Sequence, residues 1–447
     1  MSHPFLDRFE RFADSDAVVY GNKASSYRDL LHAVGEWREF LDGQGVRAGD
    51  VVTLEGVSSF EMCAGLLALI ERGVLAVPLT PLPAAKRTEF LEVCEAETTI
   101  AVDGSGGRTL TRTGRTAGHE LYQRLREAGR AGLVLFSSGT SGRSKASVLD
   151  FEKALARYGE PRRPQRLLSF LNLDHIGGIN TLLHTFSQGG TIVTVADRSP
   201  ESVFAAVARH RVEVLPTTPT FLNMVLISGV LERFPTDTLR LITYGTEPMP
   251  LGTLQRLKQE LPEVRFKQTY GLSELGILPT RSKSDDTLWV KLGGAGFDYK
   301  IVDSVLWVRS EMAMLGYLNA PAPFDEEGYF NTQDVVETDG EYLRILGRRS
   351  EIINVGGEKV YPTEVENVLL QVDNVAEATV SGLASPVTGM VVKATLRLAA
   401  EEDADQVRLR VRRHCREKLE PYKVPVVVEI AEADLHSDRF KKIRSAR

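Results

Sequence analysis

A run of small and hydroxylated residues offers the clearest chemistry in this chain, and it follows an apolar, strand-like stretch at Gly132–Phe136. Small residues let backbone N–H groups approach an anion closely, hydroxyl groups add donors, and the lysine that ends the run supplies positive charge. The run therefore predicts a loop that binds the phosphates of a nucleotide, although a flexible surface turn has a similar composition. The candidate phosphate-binding residues are Ser137, Ser138, Gly139, Thr140, Ser141, Gly142 and Lys145.

This loop differs from the P-loop of kinases and NTPases, in which a serine or threonine follows the lysine. Ala146 stands at that position here, which disfavours that class of enzyme. The segment Ser138–Lys145 instead resembles the phosphate-binding loop of the adenylate-forming, or AMP-binding, superfamily, which includes acyl-CoA synthetases, peptide-synthetase adenylation domains and firefly luciferase. Ser144 and Ala146 replace the usual proline and glycine, and neither replacement removes a phosphate donor.

Two later segments resemble the adenine-binding motifs of that superfamily and occur in the expected order. Gly245–Pro250 resembles the segment whose backbone lies against adenine, and Gln268–Glu274 resembles the tyrosine–glycine–x–threonine–glutamate motif. The resemblance implies that Tyr270 stacks on adenine and that Glu274, with Thr140, acts in catalysis by holding Mg²⁺, which prefers oxygen ligands. The other nucleotide-binding residues that it implies here are Gly245, Thr246, Glu247, Gln268, Thr269, Gly271 and Ser273.

The motifs that follow resemble the ribose-binding segment and the interdomain hinge of the same superfamily. Asn331–Asp334 resembles its threonine–glycine–aspartate motif, which implies that Asp334 binds the ribose hydroxyl groups, although Gln333 stands where glycine is usual. Arg348 would reach the ribose or a phosphate, and Ser350 stands at the pivot, where aspartate or lysine is more usual. The loop after the hinge resembles the one beside the pantetheine tunnel, and its candidate residues are Gly356, Gly357 and Lys359.

Two adjacent lysines near the end of the sequence compete for the position of the catalytic lysine of the superfamily. That lysine usually follows a glycine, but Phe440 precedes Lys441 here. Aligning Arg444 with the downstream arginine of the family favours Lys441, whereas aligning Ile443 with the apolar residue after the lysine favours Lys442. The sequence leaves both assignments open, and a basic terminal tail without a catalytic role is the alternative.

The segment Leu171–Asn180 resembles the part of the superfamily in which a histidine or aromatic residue gates the acyl pocket, and His175 occupies the gate, as a catalytic candidate. Enzymes that activate amino acids usually carry aspartate directly after this gate. Ile176 stands there, and a desolvated ammonium group without a partner is costly, so an α-amino acid is disfavoured as substrate. Gly177 and Gly178 are expected to widen an apolar pocket that suits fatty or aromatic acids. The candidate pocket residues are His175, Ile176, Gly177, Gly178, Tyr244, Gly271 and Leu272.

The composition is that of a globular enzyme and argues against several other classes. The chain has 447 residues, of which 43% are hydrophobic and 26% charged, and this length favours two or more domains. A net charge of −6 without a sustained basic block argues against nucleic acid as a partner. Three scattered cysteines favour a reducing compartment. Because neither a signal peptide nor a membrane span is expected, we expect a cytoplasmic protein.

Alternating helix and strand patterns would position these motifs. A helix from Tyr27, a strand at Asp50–Leu54, a helix at Phe60–Ile70 and a strand at Val74–Val77 predict an α/β fold with mostly parallel sheets. Beyond about residue 340 the elements become shorter, which predicts a compact α+β unit. We therefore predict a large N-terminal adenylate-forming domain over residues 1–346 and a small, mobile C-terminal lid domain over residues 347–447, with the hinge near Ser350.

The resemblance implies a ligase that uses ATP and Mg²⁺ and is closest in pattern to acyl- and aryl-CoA ligases. Such an enzyme joins a small-molecule carboxylic acid to AMP and then transfers the acyl group to a thiol, for which coenzyme A is the expected donor. The phosphopantetheine arm of an acyl carrier protein, or another nucleophile, is the alternative acceptor. A catalytically weak nucleotide-binding protein with a regulatory role is the alternative of another class, because Ser144, Gln333, Ser350 and Phe440 depart from the family pattern.

Overall fold

The computed structural model describes residues 3–138, 144–159, 162–169, 171–437 and 441–444. Within them, a large N-terminal unit is built on two seven-stranded sheets and one six-stranded sheet, and a smaller C-terminal unit is built on a five-stranded sheet. This architecture confirms the predicted fold class, a large α/β unit followed by a small α+β unit. The predicted domain boundary between residues 346 and 347 stays a prediction.

The helices of the described residues alternate with the strands through most of the N-terminal unit. They are α1 (Pro4–Asp7), α2 (Tyr27–Gly43), α3 (Phe60–Arg72), α4 (Ala84–Val93), α5 (Glu120–Glu127), α6 (Phe151–Ala156), α7 (Ile176–Ser187), α8 (Pro200–Arg209), α9 (Pro219–Ser228), α10 (Val230–Arg233), α11 (Leu251–Glu260), α12 (Pro362–Leu369) and α13 (Ala404–Lys418). Local chemistry fixes many of their ends. Ser26 and Asp29 form a capping box at the start of α2, and Gly73 ends α3 in the left-handed conformation that glycine favours.

The first seven-stranded sheet carries the site described below. It runs in the order β13-β12-β11-β9-β10-β1-β2, and all its neighbouring strands are parallel except β1 and β2. Its helices α8, α9 and α11 cover one face, where a core that includes Phe204, Phe221 and Phe266 is buried. The strands are β1 (Asp16–Tyr20), β2 (Lys23–Ser26), β9 (Arg166–Leu168), β10 (Thr191–Thr194), β11 (Val214–Thr217), β12 (Leu241–Tyr244) and β13 (Arg265–Gln268).

The second seven-stranded sheet has a parallel centre and antiparallel edges. It runs in the order β20-β8-β7-β4-β3-β5-β6, with β7, β4, β3 and β5 parallel to one another. Its strands β7 and β8 flank the predicted phosphate loop and pair Ser138 with Ser144. The strands are β3 (Val51–Glu55), β4 (Leu75–Leu79), β5 (Thr98–Val102), β6 (Arg108–Arg112), β7 (Gly132–Ser138), β8 (Ser144–Asp150) and β20 (Gly316–Tyr317).

The third sheet of the N-terminal unit is antiparallel throughout, and the alternation of helices and strands in the sequence does not predict it. It runs in the order β16-β17-β22-β21-β19-β18, and a separate two-stranded hairpin precedes it. The hairpin is β14 (Tyr270–Leu272) and β15 (Gly276–Leu278), and the sheet is β16 (Thr280–Ser282), β17 (Val290–Leu292), β18 (Phe297–Val302), β19 (Val305–Ser310), β21 (Phe330–Asp339) and β22 (Tyr342–Arg348).

The C-terminal unit has its own hydrophobic core, in which α12 and α13 pack on one sheet. The sheet runs in the order β24-β23-β26-β25, and β27 pairs with β26. Its strands are β23 (Ile353–Val355), β24 (Glu358–Val360), β25 (Val375–Ser385), β26 (Gly389–Leu398) and β27 (Val427–Ile430).

A search of the described helices finds none that has both the length and the apolar content needed to cross a bilayer. The three cysteines, Cys63, Cys94 and Cys415, are buried and free.

Candidate functional site

The carboxyl ends of β12 and β13 lie side by side, because the two strands are parallel and pair Tyr244 with Gln268. The Thr269 N–H and hydroxyl groups both donate to the Tyr244 carbonyl, at 2.7 and 3.1 Å. Gly245 packs so closely against this turn that a Cβ atom there would lie 2.5 Å from Thr269 Oγ1. Thr246 then adopts a left-handed backbone conformation with φ +72°. Strained non-glycine residues of this kind cluster at functional sites, so this edge of the sheet is a candidate binding site.

Tyr270, Asp334 and Arg348 come from three separate segments and meet at the same edge. The Tyr270 hydroxyl group donates to Asp334 Oδ2 at 2.5 Å, and Arg348 Nε lies 3.5 Å from Asp334 Oδ1. Burial raises the pKa of Asp334, although the positive charge of Arg348 opposes that increase. Burial and the nearby carboxylate also raise the pKa of Tyr270. The structure therefore brings together the residues that the sequence assigns to adenine, ribose and phosphate.

Glu274 lies next to the described ends of the predicted phosphate loop. Its Oε1 atom accepts hydrogen bonds from the Tyr317 hydroxyl at 2.7 Å and the Ser137 hydroxyl at 3.4 Å. Lys145 Nζ stands 5.2 Å from the centroid of the Tyr317 ring, within the range of a cation–π contact. Sequence reasoning missed Tyr317, because a single tyrosine on a two-residue strand carries no spacing signal. Ser273, beside Glu274, is buried.

Four residues of the predicted phosphate loop, Gly139, Thr140, Ser141 and Gly142, lie outside the described residues, as does Phe440. The backbone of Ser138 ends β7, and β8 begins at Ser144. The two described ends of the loop therefore lie on adjacent antiparallel strands, and Ser137, near one of these ends, contacts Glu274.

The start of α7 carries the predicted acyl gate. His175 caps this helix, because its Nδ1 atom accepts a hydrogen bond from the Gly177 N–H at 3.1 Å. That bond makes Nδ1 an acceptor, and a neutral ring then carries its proton on Nε2. The neighbouring carboxylate of Asp174 turns elsewhere and accepts a hydrogen bond from the Thr80 hydroxyl at 3.0 Å.

Three predicted pocket residues have roles other than those expected. Ile176 is 3% exposed and belongs to the main core, so its side chain does not make the apolar wall that the sequence predicts. Gly178 has a packing role besides the expected one: a Cβ atom there would lie 2.0 Å from the Asn172 carbonyl oxygen, so the helix needs glycine to pack on the preceding loop. Gly178 also lines a small cavity together with Leu171 and Leu182. The Tyr244 side chain is 1% exposed and packs in the core behind the first sheet.

The half-exposed face of α7 consists of Gly177, Asn180 and His184, while the other residues of the helix are buried. Among the remaining predicted pocket residues, Leu272 is half-buried on β14. Gly271 packs on the neighbouring strand, since a Cβ atom there would lie 2.6 Å from the Gly276 carbonyl oxygen. The polar face of α7, rather than its isoleucines, therefore remains available to a substrate.

Glu247 joins the N-terminal unit to the end of the described chain. Its Oε1 atom accepts hydrogen bonds from the Thr220 N–H, at 2.8 Å, and from the Thr220 hydroxyl group. Its Oε2 atom accepts a hydrogen bond from the Lys442 N–H at 3.3 Å. Glu247 thus links α9 to the terminal segment 441–444, a contact that the sequence does not predict.

A buried ion cluster holds that terminal segment on the C-terminal unit. Glu366 on α12 is fully buried and accepts hydrogen bonds from Lys442 Nζ at 2.9 Å and from Arg444 Nε and Nη2 at 2.8 and 2.9 Å. Arg444 Nη1 also donates to Glu351 at 2.7 Å. Burial alone would raise the pKa of Glu366, but the charges of Lys442 and Arg444 lower it to about 2.

The two candidate lysines therefore differ in their surroundings. Lys442 is bonded through its side chain to buried Glu366, and it pairs with His436 across an antiparallel bridge. Because side chains alternate along an extended chain, Lys441 projects to the opposite side from Lys442 and Arg444.

The predicted hinge and the loop after it lie on the surface. Ser350 is exposed in a short turn, and Gly347 before it has a φ of +142°. Gly356 and Gly357 form the two-residue turn between β23 and β24, with φ values of +61° and +96°. Both positions of this turn require positive φ, which explains the glycines without a ligand. Lys359 is exposed on β24.

Two models of known protein families match this chain. The model "AMP-binding enzyme" matches residues 5–318, and the model "AMP-binding enzyme C-terminal domain" matches residues 364–442.

The chain is also similar to named proteins along nearly its whole length. It is 29% identical to 2-succinylbenzoate–CoA ligase of Bacillus licheniformis, with 95% of each chain covered. It is 26% identical to long-chain-fatty-acid–CoA ligase FadD13 of Mycobacterium tuberculosis, over 91% of this chain and 89% of that one. The o-succinylbenzoate CoA synthetase of Bacillus subtilis, solved with an acyl-adenylate intermediate, is 24% identical and aligns over 100% and 99% of the two chains with a TM-score of 0.80.

Proposed function

This chain belongs to the AMP-binding enzyme family, and we propose that it converts a carboxylic acid into its coenzyme A thioester through an acyl-adenylate. The observation that carries the proposal is the meeting of Tyr270, Asp334, Arg348 and Glu274 at one sheet edge. An aromatic ring suits a base, a buried carboxylate accepts from hydroxyl groups, and a guanidinium group binds phosphate. The names of the curated relatives, which are acid–CoA ligases, support the same reaction.

The first half-reaction forms a mixed anhydride. One oxygen of the substrate carboxylate attacks the α-phosphorus of ATP, the bond from that phosphorus to its β-bridging oxygen breaks, and pyrophosphate leaves. Because both reactants are anions, positive charge and N–H donors must offset their repulsion and the charge that develops in the transition state. We assign this role to the phosphate loop with Lys145 and to one of the two terminal lysines.

The residues of the site fit a magnesium ion that is shared with the nucleotide. Among the described residues there is no cluster of three or more histidine, cysteine or acidic side chains that could hold a metal alone. Mg²⁺ is commonly held by one or two carboxylates together with substrate phosphates and water. Glu274, with Thr140 of the phosphate loop, would hold the ion, which supplies positive charge to the phosphates. Tyr317 and Ser137 orient the Glu274 carboxylate for that task.

In the second half-reaction, a thiol sulfur attacks the acyl carbon, the bond from that carbon to the phosphate oxygen breaks, and AMP leaves. Coenzyme A is the proposed thiol, and the phosphopantetheine arm of a carrier protein is the alternative. The family implies that the C-terminal unit rotates near Ser350 between the two half-reactions. We propose the cytoplasm as the place of this reaction, since three free, buried cysteines suit a reducing compartment.

An aryl or aliphatic acid is a better candidate than an α-amino acid. No carboxylate among the half-exposed residues of α7 is available for a substrate ammonium group, and Asp174 is bonded to Thr80. An ammonium group bound beside this face of α7 without a counter-ion would be costly to desolvate.

Acid-dependent exchange of labelled pyrophosphate into ATP tests this proposal, because exchange requires reversible adenylate formation. A panel of aryl, fatty, short and α-amino acids should support exchange with aryl or aliphatic acids. Formation of a thioester on addition of coenzyme A should follow for the same acids. Fastest exchange with an α-amino acid would contradict the substrate assignment, and no exchange with any acid would contradict the reaction.

A further inference from the structure

Asn319 lies two residues beyond Tyr317, at the end of β20, and the proposed reaction does not use it. Its Oδ1 atom accepts a hydrogen bond from the Ala146 N–H at 3.1 Å, and its Nδ2 atom donates to the Ser144 carbonyl at 2.8 Å. These two backbone groups belong to the peptide units on either side of Lys145. One amide side chain therefore holds the backbone of Lys145 from both sides.

This pair of bonds continues the pairing of β20 with β8 past the end of β20. Tyr317, the last residue of β20, is opposite Ser147 in the antiparallel register. Because the two chains run in opposite directions, the same register continued by two residues brings Asn319 opposite Lys145. The side chain of Asn319, which is exposed, takes the place of a backbone partner there.

The Lys145 side chain lies on the face of the second sheet that meets Glu274. Directly opposite residues of an antiparallel pair point to the same face, and Ser137 on β7 is opposite Lys145. The Ser137 hydroxyl group donates to Glu274 at 3.4 Å, as does the Tyr317 hydroxyl group at 2.7 Å. Lys145 Nζ stands 5.2 Å from the centroid of the Tyr317 ring. Lys145 is thus a neighbour of both groups that orient the proposed magnesium ligand.

No carboxylate among the residues that the structure describes pairs with the Lys145 ammonium group. Lys283 offers a contrast: it also lies over an aromatic ring, that of Tyr342, but it pairs with Asp339 at 2.6 Å. Lysine has a flexible four-carbon stem, so the direction of its ammonium group depends on how firmly its backbone is held. A lysine that is held at its backbone and lacks a described counter-ion suits an anionic ligand.

We propose that Asn319 is a positioning residue for ATP: it fixes the backbone at Lys145 so that the ammonium group of this lysine faces the phosphates. This inference rests on the proposed function, which assigns Lys145 to those phosphates. Asn319 acts through Lys145 and needs no contact of its own with the nucleotide. A cation that is in place before ATP arrives stabilises the phosphates without a further cost of ordering.

A double-mutant cycle of Asn319→Ala and Lys145→Ala tests this role. Calorimetry gives Kd for ATP and for adenosine, which has the same base and ribose but no phosphate. Asn319→Ala should weaken ATP binding by about three- to tenfold, the scale of one or two neutral hydrogen bonds, and should leave adenosine binding unchanged. In the Lys145→Ala background, Asn319→Ala should weaken ATP binding no further, because the group through which it acts is gone.

Asn374→Gly is the matched control. Asn374 makes the same two kinds of amide bond with the backbone of Ala400 on the C-terminal unit, at 2.8 and 2.9 Å. Glycine tolerates the left-handed φ of +67° at this position. Asn374→Gly should therefore leave the ratio of the Kd values for ATP and adenosine at its wild-type level. If Asn319→Ala does not fold, Asn319→Ser takes its place in the cycle, since serine keeps a polar group at this exposed position.

Three results would overturn the inference. Equal losses of ATP and adenosine binding would show that Asn319 only stabilises the fold. Losses that multiply in the double variant would show that Asn319 acts without Lys145, and unchanged ATP binding in either single variant would show that the pair does not serve the phosphates. A wild-type protein that binds ATP but supports no pyrophosphate exchange with any acid would contradict the proposed function, while the cycle would still decide the role of Asn319.

Discussion

Lys441 and Lys442, adjacent near the end of the described chain, project to opposite sides, although the sequence leaves both open as the catalytic lysine. Lys442 is bonded to buried Glu366, and breaking this bond leaves the buried carboxylate with Arg444 as its other cationic partner in the described residues, which is destabilising. We therefore assign a positioning role to Lys442 and the reacting phosphates to Lys441. Lys441→Ala should lower pyrophosphate exchange by about 100-fold or more, the usual scale of one charge lost from a transition state, and should destabilise the protein less than Lys442→Ala does, because the partner of Lys442 is fully buried.

Two variants of Lys442 distinguish a role in positioning the terminal segment from a direct role in adenylate formation. Lys442→Ala should destabilise the protein and weaken exchange less than Lys441→Ala does, and Lys442→Arg should restore both properties, because arginine can keep the bond to Glu366. Denaturant unfolding and exchange rates measure the two effects. Loss of exchange in Lys442→Ala as deep as in Lys441→Ala, with unchanged stability, would reverse the assignment.

Gly177 and Gly178, which are adjacent in α7, differ in the space that each leaves for a side chain. Gly178→Ala would place a methyl group 2.0 Å from a backbone oxygen, which cannot move away cheaply, so we expect a loss of stability of about 1–3 kcal/mol or more. At Gly177 the nearest atoms belong to the side chains of Leu171 and His175, at 3.2 and 3.4 Å, so alanine should fold normally. Thermal unfolding of both variants measures the contrast, and equal stability would contradict this description of the helix.

Gly177→Ala should change the KM values for the substrate acids and leave the stability of the protein unchanged. Gly177 lies on the half-exposed face of α7, so the added methyl group should raise KM for large acids more than for small ones. The sequence predicts that both glycines widen the candidate pocket, but it cannot show which of them lies on the half-exposed face of α7. That distinction depends on the packing of the helix against Asn172, a tertiary contact.

At the scale of elements, the terminal segment 441–444 depends on one carboxylate of α12. The pKa of Glu366 is lowered from an ordinary 4.5 to about 2 by its two cationic partners. A carboxylate whose pKa is lower in the folded state stabilises the protein above its unfolded pKa, and the contribution is lost as the pH falls toward the folded pKa. The shift corresponds to a contribution on the order of 3 kcal/mol.

Glu366→Gln should therefore be less stable than the wild type at pH 7, and the difference should shrink as the pH falls from about 4.5 toward about 2. Urea unfolding across this range measures it. Glu358→Gln is a matched control on the same unit, because Glu358 is exposed on β24. A difference between wild type and Glu366→Gln that does not depend on pH would contradict the ionised state of the cluster.

The elements divide into those that the sequence predicts and those that it does not. Helices with a strong apolar period, such as α2 and α3, and the parallel strands between them follow from local pattern. The six-stranded antiparallel sheet does not, because alternating helix and strand patterns indicate parallel sheets, and because its pairing of β17 with β22 joins Val290 to Leu343, which are distant in sequence. The backbone conformation of Gln333 also could not be predicted from the sequence. Its left-handed φ of +62° explains why glycine is usual at that position of the family motif.

The residues of the candidate site that belong to family motifs could be predicted from the sequence. Tyr270, Glu274, Asp334 and Arg348 are found from their motifs, and the structure brings them to one edge of the sheet. Tyr317 is not, because it comes from a separate segment, and its contact with Glu274 depends on the packing of β20.

At the scale of the whole molecule, both units contribute to the proposed reaction. The nucleotide residues belong to the N-terminal unit, and the two lysines lie on a segment bonded to both Glu366 of the C-terminal unit and Glu247 of the N-terminal unit. A second contact joins the units, in which Asn223 Nδ2 donates to the Ala376 carbonyl at 2.8 Å. These contacts hold the terminal segment against the N-terminal unit, which fits a lysine that acts in only one orientation of the two units.

The most direct test of the central claim follows an oxygen atom. The acid that supports the fastest exchange is labelled with ¹⁸O in its reacting carboxyl group and incubated with ATP, Mg²⁺ and coenzyme A. If a carboxylate oxygen attacks the α-phosphorus and the thiol later attacks the acyl carbon, that oxygen leaves with AMP. Mass spectrometry should then find one ¹⁸O atom in AMP for each thioester formed and unlabelled pyrophosphate. Thioester formation with unlabelled AMP, or with ADP and labelled phosphate, would contradict the acyl-adenylate route.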